Sequence, residues 1–197
     1  MRKWLIGENT LEFDEETHTY IADGIIVPSI TQILKVRFGN KYDAVDPFTL
    51  QRAAERGTRI HKAIEEWNGE RKDDGSQEVH NFRFLMDRYG FRVLECEAPL
   101  VLKRGEEVIA AGRLDLVLDS GGKTALADIK TTSKLDREYL AAQLNLYRLG
   151  YTQSYGIDIE ELYGIHLRGE VRKLSIIPIN PGKAWEILEE YENKRKE

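Results

Sequence analysis

Two neighbouring stretches in the middle of the chain decide the fold: GRLDLVL, residues 112–118, and ALADIK, residues 125–130. Both are rich in Val, Leu, Ile and Ala, as buried β-strands are. The run Ser120-Gly121-Gly122 lies between them and is typical of a tight turn. The sequence therefore predicts two adjacent antiparallel strands over residues 108–118 and 124–130.

Charged side chains interrupt both predicted strands. Asp115 lies in the first strand, and Asp128 and Lys130 lie in the second. Because side chains alternate between the faces of a strand, we expect Asp128 and Lys130 to share one face and Ile129 to point to the other.

Such charges are costly in apolar strands unless they are paired or bind a metal. Two carboxylates on adjacent strands suit a hard divalent cation such as Mg²⁺, and a neighbouring lysine could stabilise the charge that develops on a phosphate. This combination is typical of phosphodiester hydrolysis. The competing interpretation is a structural ion pair between Asp128 and Lys130, with Asp115 in a turn.

Apolar periodicity predicts further elements on both sides of these strands. Residues 11–27 indicate a β-hairpin or short meander, and Ser29 is expected to cap a short helix. The other predicted elements are helices over 49–68 and 78–89, a strand over 93–102, a helix over 136–149 closed by Gly150, strands over 162–167 and 173–179, and a helix from 182. The order predicts an α/β fold with a mixed central sheet flanked by helices.

The length of 197 residues favours a single domain. We expect the N-terminal hairpin and helices over residues 1–90, the core over 91–180 and a C-terminal helix over 181–197. The composition is 41% hydrophobic and 32% charged, which argues against disorder. The net charge of −5 leaves phosphate binding to a local basic stripe.

Location and redox chemistry are limited by two further features. No apolar run approaches the roughly 20 residues of a membrane helix, and the N-terminus becomes acidic before a signal-peptide core could form. A cytoplasmic protein without membrane contact is therefore expected. The single cysteine, Cys96, excludes an intrachain disulfide and a four-thiolate iron–sulfur or zinc site within one chain.

The predicted helix over residues 49–68 carries a histidine and a row of arginines. An apolar stripe at helical spacing predicts its buried side, made of Leu50, Ala53, Ala54, Gly57, Ile60, Ile64 and Trp67. His61 lies beside this stripe and could bind a metal or a phosphate, or could be an ordinary core histidine. Arg52, Arg56 and Arg59 form a row that either tracks phosphates or is solvated and paired with Glu55.

The predicted helix after Lys130 carries Tyr139, Gln143 and Tyr147 on one side. Gln143 lies among leucines and needs a hydrogen-bond partner if it is buried. The tyrosines are equally consistent with core aromatics.

Taken together, these motifs resemble the RecB-like branch of the PD-(D/E)XK nucleases. The matches are G-T-x-x-H at residues 57–61, G-x-x-D at 112–115, D-x-K at 128–130 and Q-x-x-x-Y at 143–147, in that order. The stretches THTY at 17–20 and VPSIT at 27–31 also resemble the opening of small phage-type exonucleases in this branch. The resemblance covers roughly residues 11–150 and implies a restriction-endonuclease-like core.

The resemblance implies roles for the residues that match. Asp115 and Asp128 would bind the metal, with His61 as a ligand or a near neighbour, and Lys130 would be the catalytic lysine. It also implies that DNA or the lysine is positioned by Gln143 and Tyr147.

Family members often carry a further acidic residue on the preceding strand, and Glu95 or Glu97 could fill this position. Both are expected on the same strand face, and Glu97, next to Ala98, is favoured. The chain departs from the family in having Leu114 where proline is common, and its single cysteine cannot form the iron–sulfur cluster of some relatives.

The resemblance therefore implies a deoxyribonuclease that uses one or two Mg²⁺ or Mn²⁺ ions. An exonuclease acting on linear duplex or single-stranded DNA in recombination, repair or phage DNA processing is expected, with a recombination protein as a further candidate partner. The alternatives are a structure-specific or sequence-specific endonuclease on the same core, and a non-catalytic nucleic-acid binding module.

Overall fold

The structure is a computed structural model that describes residues 1–39 and 45–196. Its N-terminal part is an antiparallel sheet of four strands in sequential order. The strands are β1 (Arg2–Ile6), β2 (Asn9–Asp14), β3 (Thr19–Ala22) and β4 (Ile25–Val27). The predicted hairpin or short meander is thus confirmed and extended by β1. Gly24 adopts a φ of 81° in the turn between β3 and β4, a conformation that glycine adopts without steric cost.

Three helices follow this sheet: α1 (Ile30–Phe38), α2 (Pro47–Glu70) and α3 (Gln77–Tyr89). Ser29 caps α1 as predicted, because its hydroxyl accepts from the Gln32 N–H and the Gln32 side chain accepts from the Ser29 N–H. Asp46 caps α2, because its carboxylate accepts from the Thr49 N–H, and Pro47 lies in the first turn.

The second sheet contains the five strands that carry the predicted charged residues. They are β5 (Phe91–Arg104), β6 (Glu107–Ser120), β7 (Lys123–Lys130), β8 (Glu161–Arg168) and β9 (Val171–Ile177), in sequential order. Every neighbouring pair is antiparallel except β7 and β8. Because α4 (Arg137–Tyr155) connects β7 to β8, these two strands can run parallel, and the sheet is mixed as predicted.

Helix α4 continues six residues past the leucine at which it was predicted to end, so the stop assigned to Gly150 is wrong. Gly150 instead lets the helix approach β5. A β-carbon at this position would lie 2.7 Å from Leu100 Cδ1 and 3.2 Å from the Val101 carbonyl oxygen. The helix ends before Gly156, which has a φ of 67°. The last helix, α5, spans Pro181–Lys196.

Apolar side chains cover both faces of the five-stranded sheet, which five helices flank. One core cluster lies beneath α1, α4 and α5, a second lies beneath α2 and α3, and a third joins the two sheets. Cys96 is half-buried and packs against the second cluster. None of the helices in the described residues has both the length and the apolar character that a membrane crossing requires.

The buried stripe predicted for α2 is only half correct. Ile60 and Ile64 are fully buried, but Ala53 and Ala54 are exposed and Leu50 is half-buried. The core therefore ends near Ile60, and residues 47–59 face solvent although their spacing is apolar.

Candidate active site

The pairing of β6 with β7 stops one residue before the two predicted aspartates. The last paired residues are Leu116 and Ala127. Beyond this pair the Asp115 carboxylate accepts a hydrogen bond from the Ile129 N–H at 2.6 Å. A carboxylate thus replaces the strand partner at this point, and the two strands separate around Asp115 and Asp128.

A small recess beneath α2 brings together His61, Glu97 and Asp115. One ligand atom from each residue lies within 4.8 Å of the other two. His61 Nδ1 lies 3.3 Å from Asp115 Oδ1, and its Nε2 lies 3.1 Å from the Ile129 carbonyl oxygen. An Nε2–H that donates to this carbonyl leaves Nδ1 facing the carboxylates, which is a common arrangement of metal-binding histidines. We call these three residues the acidic recess.

Glu97 reaches the recess through an unusual backbone conformation. Its φ of 52° lies in the left-handed region, within a β-strand. This conformation costs a non-glycine residue about 1–2 kcal/mol. Such strain persists where the surroundings impose it, and it is concentrated at functional sites.

The regular alternation of side chains breaks at both acidic residues. Ala98 and Leu114 belong to the core cluster beneath α4, whereas Leu116 belongs to the cluster beneath α2. Residues two apart on a regular strand would share a face. The break at Glu97 and Asp115 turns both carboxylates toward α2.

This break also decides between the two candidate glutamates. Glu95 is exposed, and its charge adds to the rise that burial causes in the pKa of Tyr151 of α4, whereas the next residue, Cys96, packs against the cluster beneath α2. The expectation that Glu95 and Glu97 share a strand face is therefore wrong, because it assumed an unbroken alternation. Glu97 is the one that lies in the acidic recess.

Arg113 holds the Glu97 carboxylate from the side of the N-terminal sheet. Its Nε lies 3.5 Å from Glu97 Oε2, and its guanidinium lies 4.7 Å from the centre of the Phe13 ring. Burial raises the pKa of Glu97, and Arg113 opposes this shift. Sequence analysis missed Arg113, since its role depends on the packing of the two sheets.

A second set of polar side chains lies on the α4 side of β7. Lys130 Nζ lies 2.6 Å from Asp128 Oδ2 and donates to Gln143 Oε1 at 2.8 Å. Gln143 Nε2 in turn donates to the Tyr147 hydroxyl at 3.3 Å. The buried Gln143 thus has the partners that its position required, and Asp128 and Lys130 share a face as predicted. We call these four residues the lysine network.

Burial and charge shift the pKa values of the two buried aspartates in opposite directions. Burial raises the pKa of Asp128 to about 6, although Lys130 opposes the shift. Burial also acts on Asp115, but His61 and Lys130 outweigh it and hold the pKa of Asp115 below its usual range. Asp115 is thus a carboxylate at neutral pH, as a metal ligand must be.

The two basic groups of the site stay protonated in the metal-free protein. Burial lowers the pKa of His61, but Asp115 outweighs it and raises this pKa to about 9. Burial likewise lowers the pKa of Lys130, and Asp128 and Asp115 raise it above its ordinary value. Lys130 is therefore a cation at neutral pH.

Three of the four predicted metal ligands thus meet in the acidic recess. The fourth, Asp128, lies close enough for its charge to raise the pKa of His61, but its carboxylate is paired with Lys130. The competing interpretation of an Asp128–Lys130 ion pair is correct for that contact. Its other part is wrong, since Asp115 lies in β6 and not in a turn.

The three predicted arginines of α2 line a groove of about 1010 Å³. Glu55, their predicted partner, instead accepts from Gln51. The structure adds three cations that sequence analysis missed: Lys134, Arg137 and Arg168. Lys134 and Arg137 closely follow the D-x-K motif and could have been found by proximity. Arg168 could not, because its position depends on the parallel pairing of β7 with β8.

Comparison with known proteins supports the fold alone. The sequence matches no protein-family model and no curated protein. Among solved structures, the chain is similar to one described as the crystal structure of SSO0001, with 15% sequence identity and a TM-score of 0.51. The similarity covers 85% of this chain and 76% of that chain. At this identity, function must be argued from the site.

Proposed function

We propose that this protein is a Mg²⁺- or Mn²⁺-dependent deoxyribonuclease of the PD-(D/E)XK superfamily, in its RecB-like branch. The observation that carries the proposal is the position of the acidic recess and the lysine network on either side of the point where β6 and β7 separate. A cation site can activate water and polarise a phosphodiester, and a buried ammonium can stabilise the charge that develops on it.

The acidic recess fits a divalent metal ion. It offers one imidazole nitrogen and two carboxylates, a donor set that suits Mn²⁺ and, through its oxygens, Mg²⁺. The backbone of Ile129 orients both His61 and Asp115, as outer-shell partners of metal ligands do. When bound, such a cation supplies Lewis-acid stabilisation to the scissile phosphate.

Lys130 supplies a fixed positive charge next to this recess. An ammonium group has three N–H donors. Gln143 accepts from one of them and the Asp128 carboxylate pairs with the ammonium charge, which leaves N–H donors for a phosphate oxygen or the attacking water. Tyr147 holds Gln143 in turn, so the lysine is oriented before substrate binds.

The arginine-lined groove supports nucleic acid as the substrate. Although the net charge is −5, the groove gathers, among residues 1–39 and 45–196, six basic side chains against one acidic residue, Asp136. A local field of this kind attracts phosphates even in an acidic protein. We propose that the enzyme acts as an exonuclease in recombination, repair or phage DNA processing, in the cytoplasm of a bacterial or phage-infected cell.

A time course on end-labelled linear, nicked and covalently closed circular DNA tests this proposal. Each substrate is incubated with Mg²⁺, Mn²⁺ or EDTA. We expect metal-dependent release of short products from linear DNA and no cleavage of the circle, because an exonuclease needs an end. Cleavage of the circle would instead indicate the endonuclease, and the absence of turnover on every substrate would overturn the proposal in favour of a binding module.

A further inference from the structure

The exposed half of α2 combines apolar and basic side chains. Phe48 is 65% exposed, and Ala53 and Ala54 also face solvent. The Arg52 guanidinium lies 5.7 Å from the centre of the Phe48 ring. Ala53 and Ala54 belong to the apolar stripe for which burial was predicted, but no core element among the described residues covers them.

The groove described above runs along this half of α2. Its opposite wall is formed by the segment that follows the catalytic lysine, residues 132–137, and by Arg168. At its inner end Gly57 lies against Thr131, so that a β-carbon on Gly57 would be 3.4 Å from Thr131 Oγ1. The groove therefore leads along α2 to the chain immediately after Lys130, and Phe48, whose ring contacts the groove residue Arg52, lies beside it.

The cations of the groove differ in how far they are already neutralised. Arg56 lies 3.6 Å from Glu78, and Arg59 lies 3.8 Å from Asp74. Arg137 and Arg168, in contrast, contact only backbone carbonyl oxygens among the described residues, each at 3.4 Å. Arg52 and Lys134 have no ion-pair partner in the described ranges either, so four of the six charges are free for an anionic ligand.

The ligand must therefore present both negative charge and apolar faces. A nucleic-acid duplex presents phosphates but keeps its base faces stacked inside. It would therefore make no contact through base faces with Phe48 and the exposed alanines of α2. A single strand presents both phosphates and bases, and base stacking on aromatic side chains is the usual mode of binding such strands.

We propose that this groove is a binding site for single-stranded nucleic acid, with Phe48 stacking on a base and Arg52, Lys134, Arg137 and Arg168 contacting phosphates. The inference rests on the proposed function, since it assigns the groove as the path of the substrate toward Lys130. It adds the strandedness of the substrate, and it makes Phe48 a residue that determines specificity.

Fluorescence anisotropy in EDTA tests the inference without cleavage. The probes are an oligothymidylate of about 16 nucleotides and a blunt duplex of the same length. We expect the single strand to bind at least about tenfold more tightly, and Phe48→Ala to weaken single-strand binding by about tenfold while leaving duplex binding unchanged. Phe48→Trp should restore single-strand binding.

Leu5→Ala is the matched control, because Leu5 is 76% exposed on β1 in the N-terminal sheet and does not line the groove. It should change neither affinity, and thermal melting should show that the Phe48 variants are folded. Arg52→Ala should reduce the salt dependence of single-strand binding by about one phosphate contact.

Equal affinity for both probes, or a Phe48→Ala variant with unchanged single-strand affinity, would overturn the inference. Displacement of the oligothymidylate by an acidic amphipathic peptide that binds more tightly would overturn it too, in favour of a protein partner. Single-strand binding without any cleavage activity would support the inference while the proposed function failed. Cleavage without a preference for single strands would support the proposed function while this inference failed.

Discussion

The acidic recess and the lysine network are both built around a buried aspartate, but they treat its charge differently. Asp115 accepts from a backbone N–H and faces His61, so the pKa of Asp115 is lowered. Asp128 is 2% exposed, and burial raises its pKa to about 6 even with Lys130 beside it. In the metal-free protein both sets thus contain a cation, but a metal ion that binds the recess can displace the His61 proton, whereas Lys130 keeps its charge.

This difference indicates a division of roles between the two sides of the sheet. The recess beneath α2 is suited to receive a metal ion, and the network beneath α4 is suited to hold one ammonium group in place. Removing Lys130 should therefore affect catalysis, and changing the recess should affect metal binding and stability.

The substitution Lys130→Ala should have the largest effect. We expect the cleavage rate to fall by about 10²–10⁴-fold, since the charge that stabilises the phosphate is lost. The protein should still fold, because the pKa of Asp128 is already about 6 and its carboxyl group can take up a proton when the lysine is removed.

Initial rates on linear DNA and thermal melting measure these effects. Lys72→Ala is the control, since Lys72 is an exposed lysine paired with Glu66. Full activity in Lys130→Ala would show that the lysine network takes no part in catalysis.

The stability of the metal-free protein should depend on pH through His61. The pKa of His61 is about 9 in the folded state and 6.5 as its ordinary value. Because the folded state binds this proton more tightly, the stabilisation is fully present below pH 6.5 and is lost as the pH rises through about 9. The difference corresponds to about 3 kcal/mol.

Urea unfolding in EDTA at several pH values measures this slope. His61→Gln should flatten it between pH 6.5 and 9. Asp128 should act at lower pH. Its pKa is about 6 in the folded state and 3.8 as its ordinary value, so the free energy of unfolding should fall as the pH rises from 3.8 to about 6. If His61→Gln retains the full slope, the His61–Asp115 pair is not its source.

Metal binding should stabilise the folded protein through the acidic recess. At a Mn²⁺ concentration of about 100 times Kd, the expected gain is about 2.7 kcal/mol. Glu97→Gln should abolish most of this gain, and Glu95→Gln should retain it, because Glu97 lies in the recess and Glu95 is exposed.

Melting temperatures with Mn²⁺ and after addition of EDTA test this directly. The two variants remove the same charge from the same strand, so a general electrostatic effect would appear in both. Loss of the gain in Glu95→Gln alone would reverse the assignment.

The smallest expected effect concerns the backbone of Glu97. We expect Glu97→Gly to be more stable than Glu97→Ala by about 1 kcal/mol, since glycine adopts a φ of 52° without steric cost. Within a regular strand the order would be reversed. Chemical denaturation of both variants in EDTA gives the comparison, and a more stable alanine variant would show that the strand relaxes.

Sequence patterns predicted the features that depend on local spacing. The alternation in D-x-K placed Asp128 and Lys130 on one face, and the spacing of Gln143 and Tyr147 placed them within hydrogen-bond distance. The cap at Ser29 was also predicted, because capping involves neighbouring residues only.

The features that sequence patterns missed depend on packing between distant segments. The sequence pattern predicts a helix end at Gly150, but in the structure this glycine makes room for Leu100 of β5. The left-handed backbone of Glu97 has no local signal, since glutamate rarely adopts this conformation. The exposure of most of residues 47–59 was missed as well, because apolar spacing does not distinguish a buried helix face from an exposed one.

Ile129 has a position in the site that its side chain does not reveal. Its N–H donates to Asp115 and its carbonyl faces His61, while its side chain is buried beneath α2. Both contacts belong to the peptide backbone, which is the same for every residue type except proline. Substitutions at position 129 can therefore preserve the orientation of His61 and Asp115. Proline is the exception, because it lacks the N–H that donates to Asp115.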